Sequence, residues 1–126
     1  MLAECPLFAY FPARDLGRAR RFYEEKLGLV AKSISNDGVT YEFADGTAAF
    51  LYATDHAGTS RASQAFWSVE DVDREIADLK KRGVAFERYD DMPGERSPEG
   101  AVIAGGAKAA WFKDSEGNIL AIVQSL

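Results

Sequence analysis

Cysteine and histidine are nearly absent from this chain: Cys5 and His56 are the only examples in 126 residues. A single cysteine excludes an internal disulfide and a multi-cysteine metal site. A single histidine excludes a two-histidine, one-carboxylate centre built within one chain. Cys5 reads as a small apolar residue near the first strand, and His56 as a solvated linker residue or part of a pocket rim. Long apolar runs are also missing, and nothing approaches the roughly 18 to 20 residues that a membrane span needs. The N-terminus lacks the basic-then-apolar layout of a secretory signal, so the expectation is a soluble, cytoplasmic protein with no membrane partner. Basic charge is in deficit, with 15 Lys and Arg against 20 Asp and Glu and a formal net charge of −5. Nucleic acid is therefore not an expected partner, because phosphate binding needs a basic surface. There is no Gly-x-Ser-x-Gly elbow, phosphate loop or dinucleotide fingerprint.

What is present is a pattern stated twice, about 55 residues apart. Leu7 to Phe11 is apolar and aromatic enough for a strand, broken at Pro12 and followed by Asp15 as a helix N-cap. Leu16, Ala19, Phe22, Tyr23 and Leu27 then recur at three- and four-residue intervals as one apolar helical stripe, and Gly28 ends the helix. Leu29 to Ser35, Val39 to Ala44 and Ala48 to Ala53 are strand candidates, separated by Asn36-Asp37-Gly38 and Asp45-Gly46 turns. After a linker from Thr54 to Ser63, the order restarts with the strand Gln64 to Val69 and the helical stripe Val72, Ile76 and Leu79, stopped at Gly83. Strands are then expected at Val84 to Tyr89, Ala107 to Lys113 and Asn118 to Gln124. The chain thus reads as one domain, residues 1–126, of two βαβββ modules spanning about 1–55 and 63–126. Asp90 to Gly106 has no counterpart in the first module, and a loop of that length in a small domain is either a lid or pocket rim or a plain insertion.

These residues resemble the vicinal oxygen chelate superfamily of glyoxalase I, the bleomycin and fosfomycin resistance proteins and the extradiol dioxygenases. The likeness rests on Asp15-Leu16 with Arg18-Ala19 and Phe22-Tyr23, on Leu27-Gly28-Leu29, on Val69-Glu70-Asp71-Val72-Asp73, on Arg82-Gly83-Val84, and on Trp111 to Asn118. It implies an α+β fold in which two βαβββ modules form an open, eight-stranded, cup-shaped mixed sheet with the helices outside, commonly as a homodimer. Catalytic relatives hold a divalent metal on the first and last strands of each module. Carried onto this chain, those positions fall on Phe8, near Leu51, on Gln64 and on Ala121. Only Gln64 carries a donor, and a neutral amide alone is a poor anchor for a divalent cation, so no metal and no cofactor are expected.

With those positions apolar, the resemblance leaves a cup lined by rings and a few polar tips. Strand alternation sends Phe8 and Tyr10 to one face, with Ala9 and Phe11 under the first helix, and likewise groups Gln64, Phe66 and Ser68. Tyr41, Phe43, Phe50, Tyr52, Trp111 and Ala121 complete the candidate ligand-binding set. Each ring has an alternative role in the core or in a dimer contact. Arg88, Arg96 and Lys108, near the long loop, are solvated surface cations or contacts for an anionic ligand. The expected function is metal-free binding of an apolar or aromatic small molecule, in the manner of bleomycin resistance proteins. The alternative is a glyoxalase- or dioxygenase-like lyase, isomerase or oxidoreductase that works without metal or with an atypical ligand set.

Overall fold

The structure is a computed structural model describing residues 1–126. The chain divides into two compact units, Met1–Thr59 with Ser115–Asn118, and Ser60–Asp114 with Ile119–Leu126. Unit one runs β-α-β-β-β around a four-stranded open sheet, whereas unit two runs β-α-β-β-β-β around a five-stranded one, one strand more than the repeat predicts.

In unit one, β1 (Phe8–Ala13), β2 (Ala31–Ile34), β3 (Gly38–Glu42) and β4 (Ala48–Ala53) lie in the order β1-β4-β3-β2. The β1–β4 pair is parallel and the other pairs are antiparallel. β1 continues through Pro12, where the sequence predicts a break. Proline lacks an N–H and is tolerated on an edge strand, which β1 is. The Pro12 carbonyl points away from β4 and accepts from Asn118 Nδ2 at 2.7 Å, so the missing N–H lies on the side where no strand needs it.

Asp15 caps α1 (Leu16–Arg21) by accepting from the Arg18 backbone N–H at 3.0 Å. The helix then widens into a π-helical segment, Phe22–Lys26, closed by the Leu27 N–H on the Phe22 carbonyl at 3.2 Å. The sequence predicts a regular helix here, but the adjacent rings Phe22 and Tyr23 are both buried. An inserted residue in the turn lets neighbouring side chains share the inner face. Tyr23 stacks on Phe11 with ring centroids 5.0 Å apart. Phe11, Val39, Tyr41, Ala49 and Leu51 form the rest of this layer.

In unit two, β5 (Ala65–Ser68), β6 (Glu95–Arg96), β7 (Val102–Ala104), β8 (Ala107–Lys113) and β9 (Ile119–Ser125) lie in the order β5-β9-β8-β7-β6. Asp71 caps α2 (Val72–Lys81) through the Arg74 N–H at 3.2 Å. Val72 and Ile76 of its apolar stripe are buried, as are Phe112, Leu120 and Ile122. Two expectations change in this unit. Val84 to Tyr89 forms no strand and pairs with β8 only at a Phe86–Phe112 bridge. The segment 90–106 instead contributes the β6–β7 hairpin, which takes the outer edge of β8 from Ala107 to Ala109.

Candidate functional site

The register of β1, β4 and β3 decides which rings share a face. Tyr10 lies beside Phe50, and Thr40 beside Phe50 on the other side, while Gly38 pairs with Tyr52. Phe8, Tyr10, Phe50 and Tyr52 therefore stand on the face of the sheet opposite α1. Phe8 and Tyr10 are 53% and 65% exposed, and Tyr10 meets Tyr52 edge-on at 4.8 Å between centroids. Phe50 lies 6.3 Å from the same ring. These four residues make an apolar platform with two phenol tips.

Tyr41 is placed differently from the expectation. It has the parity of Val39 and Leu51, so it sits fully buried on the helix side. Its hydroxyl donates to Glu24 Oε2 at 2.9 Å, and Glu24 in turn accepts from Arg20 Nε at 2.7 Å. Burial, then the bond to Glu24, raises the Tyr41 phenol well above its ordinary pKa of 10. The bonds from Arg20 and Tyr41 hold Glu24 below the usual carboxylate range despite its partial burial. Phe43 leaves the strand altogether and lies half-buried at the turn between β3 and β4.

In unit two, Phe66 pairs with Ala121, and Ala121 with Trp111, giving one row across the face opposite α2. Phe66 is 64% exposed, Ala121 is buried between its neighbours, and Gln64, just before β5 and two residues from Phe66, is exposed. Trp67 takes the other face and stacks on Phe112 at 6.3 Å.

Trp111 also lines a cavity of about 420 Å³ that lies wholly within unit two. The cause is a change of partner along β8. Its outer edge pairs with β7 up to Ala109, then with the 86–87 segment, where Glu87 N–H bonds the Trp111 carbonyl at 2.8 Å. The edge splits between these two partners, and Ala109, Ala110 and Trp111 line the gap. Tyr89 meets Trp111 edge-on at 5.6 Å. The sequence points to Trp111, Arg88 and Arg96 here but not to Tyr89, Lys80 and Ser97, because the split of an edge strand leaves no periodic signal.

Residues 8–122 match the family described as the Glyoxalase/Bleomycin resistance protein/Dioxygenase superfamily. The chain belongs to this superfamily. Among solved structures, UcmS2 is similar with a TM-score of 0.75 and 18% identity, covering 94% of this chain and 96% of that one. A glyoxalase/bleomycin resistance protein/dioxygenase from Alicyclobacillus acidocaldarius gives a TM-score of 0.71 and 22% identity over 98% of this chain and 92% of its own. TnmS3, an antibiotic binding protein from Streptomyces sp. CB03234, gives 0.64 and 22% over 98% of both chains. A search of curated protein sequences finds no match.

The residues at the superfamily's metal positions do not fit a divalent ion. Phe8 and Ala121 have no donor, Leu51 is buried on the helix side, and Phe50 and Tyr52 flank it on the platform face. Gln64 is the one amide among them, and no three His, Cys, Asp or Glu side chains gather where they could hold a metal. Around these positions stand aromatic ring faces, the phenols of Tyr10 and Tyr52, and the Gln64 amide. No helix is long and apolar enough to cross a membrane.

Proposed function

We propose that this protein is a metal-free binder of an apolar or aromatic small molecule, acting as a homodimer in the cytoplasm. The observation that carries this reading is the platform of Phe8, Tyr10, Phe50 and Tyr52, whose outer two members keep more than half of their surface in water. Rings that complete a core are buried, as Phe11, Tyr23 and Tyr41 are on the opposite face. An exposed aromatic patch marks a binding surface. Its chemistry is that of a stacking plate: faces for dispersion and edge-on contact, with the Tyr10 and Tyr52 hydroxyls at the rim for a polar substituent. Phe66, Ala121 and Trp111 give unit two a comparable row, with the Gln64 amide two residues before Phe66. Tyr41 and Phe43 support the platform from behind and beside it and do not line it. The description of TnmS3 as an antibiotic binding protein agrees with this reading.

Native mass spectrometry of the untreated protein with elemental analysis tests it. A dimer without stoichiometric metal, carrying or taking up the neutral aromatic probe phenylnaphthylamine, is the expected result. Tyr10→Ala in a folded protein abolishes uptake. A metal retained at one equivalent per chain and lost together with an activity on chelation overturns the reading in favour of an enzyme.

A further inference from the structure

The cavity at the split edge of the unit two sheet shares no lining residue with the unit one platform, and its chemistry is different. We propose that the insertion 90–106 builds there a second ligand site, specific for a small aromatic anion. Its volume of about 420 Å³ falls in the range of sites for small molecules. Trp111 and Tyr89 supply a ring wall, with Phe86 beside them.

The charge around this wall is arranged for an anion. Arg96 donates from Nη1 to the Gly94 carbonyl at 2.8 Å, and from Nη2 to those of Tyr89 and Met92 at 2.9 and 3.0 Å. Carbonyls satisfy its N–H groups but do not neutralise its charge, so a fixed guanidinium charge stays at the cavity without a carboxylate on it. Each carboxylate of the lining already faces a cation: Glu99 with Lys80 at 3.7 Å, Asp90 with Arg88 at 3.4 Å, and Glu87 with Lys113 at 3.4 Å. The first two are long, solvent-exposed pairs, worth little to the fold. Lys80 and Arg88 can be shared between these carboxylates and a ligand anion, with Arg96 as the charge in excess.

The site is also held in shape before any ligand arrives. Asp73 on the first turn of α2 accepts from the Ser97 hydroxyl and from the Glu99 N–H at 3.2 Å. Ser97 Oγ accepts from the Ala101 N–H at 2.9 Å, closing the tight turn 97–101. Arg96 fixes one side of the insertion and Asp73 the other, which lowers the ordering cost of binding. Module one has no segment corresponding to 90–106. The site therefore belongs to unit two alone.

Fluorescence titration with anilinonaphthalene sulfonate, an aromatic anion, tests the proposal. In Trp67→Phe, checked for folding by circular dichroism, Trp111 is the only tryptophan. Its emission is expected to be quenched saturably, at one sulfonate per chain. Arg88→Glu, a change at an exposed side chain, weakens binding about fivefold, and added salt weakens it in the unchanged protein. Ala109→Trp fills the cavity and abolishes binding, whereas Tyr10→Ala leaves it intact. If Trp67→Phe does not fold, calorimetry on the unchanged protein and on Arg88→Glu gives the same comparison. Binding that is indifferent to both Arg88→Glu and Ala109→Trp, or that is lost with Tyr10→Ala, overturns the proposal. So does the absence of binding. Loss with Tyr10→Ala would assign the sulfonate to the platform, and the other results leave the platform reading to the neutral probe.

Discussion

Arg18 and Glu116, 98 positions apart in the chain, form a two-pronged ion pair: Nε donates to Oε2 at 2.8 Å and Nη2 to Oε1 at 2.9 Å. The Glu116 side chain is wholly buried and also accepts from the Arg14 and Asp15 N–H groups at 2.9 and 3.0 Å and from the Ser115 hydroxyl at 2.8 Å. The turn 115–118 is thereby built into unit one, at the start of α1. Carboxylate, capping backbone and guanidinium form one charge-assisted network.

Acid titration follows from that network. Burial alone would raise the Glu116 carboxyl, but the bonds from Arg18, Asp15, Ser115 and Arg14 outweigh it and lower the pKa from 4.5 to about 2. A carboxyl depressed on folding adds stability that is fully present above 4.5 and is lost as pH falls toward 2. The expected loss is about 3 kcal/mol across that window. Denaturant unfolding at stepped pH should show this slope. Glu116→Gln should flatten it and lower stability near neutrality by a similar amount.

Asn118 uses both ends of its amide. Oδ1 accepts from the Gly58 N–H at 3.0 Å, and Nδ2 donates to the Pro12 carbonyl at 2.7 Å. Asn118→Asp keeps the size but turns an oxygen toward the Pro12 carbonyl, leaving two acceptors opposed in a buried place. A cost of about 2–3 kcal/mol is expected, measurable as a lower denaturation midpoint with an unchanged slope. Gly58 admits no side chain beside this bond, since a Cβ would lie 2.3 Å from the Glu116 carbonyl at a backbone φ of +74°. Gly58→Ala is expected to be at least as damaging.

The repeat, the first helix cap and most of the strands were legible in the sequence, because each depends on local periodicity and end signals. Asp15 caps as read, Asp71 takes the same role in the second helix, and β4 and β8 begin and end where their patterns do. The face of Tyr41 was not legible, because β1 and β3 give parity within a strand but no register between strands. The π-helical turn was hidden because Phe22 and Tyr23 fit the stripe of a regular helix equally well. The partner switch along β8 depends on two segments competing for one edge, and local pattern is silent on that competition. The turn 114–118 was legible as a turn and as a family motif, but the work of Glu116 in unit one depends on contacts about 100 residues away.

Tyr41 is expected to behave as a core hydrogen bond donor. Tyr41→Phe preserves the ring among Tyr23 and its neighbours but leaves Glu24 with Arg20 alone. The loss should be about 1 kcal/mol at neutral pH. Because the Tyr41 phenol is raised from 10 on folding, its contribution is complete below pH 10 and declines as pH rises beyond it. Tyr41→Phe should therefore reduce the fall in stability seen at high pH, and an unchanged alkaline slope would contradict the burial of this hydroxyl.

Arg96 should govern the order of the insertion more than the stability of the fold. Its guanidinium ties carbonyls from Tyr89 to Gly94 into one loop, and these residues are otherwise exposed or half-exposed. Arg96→Ala removes several bonds at once from a region with few buried side chains, so local opening should become cheaper while global unfolding changes little. Hydrogen exchange is expected to quicken at the Ser97 and Ala101 amides and to stay unchanged in β9. Arg96→Lys cannot reproduce the planar fork and should restore only part of the protection. Equal acceleration in β9 would show that the clamp supports the whole unit and not the loop alone.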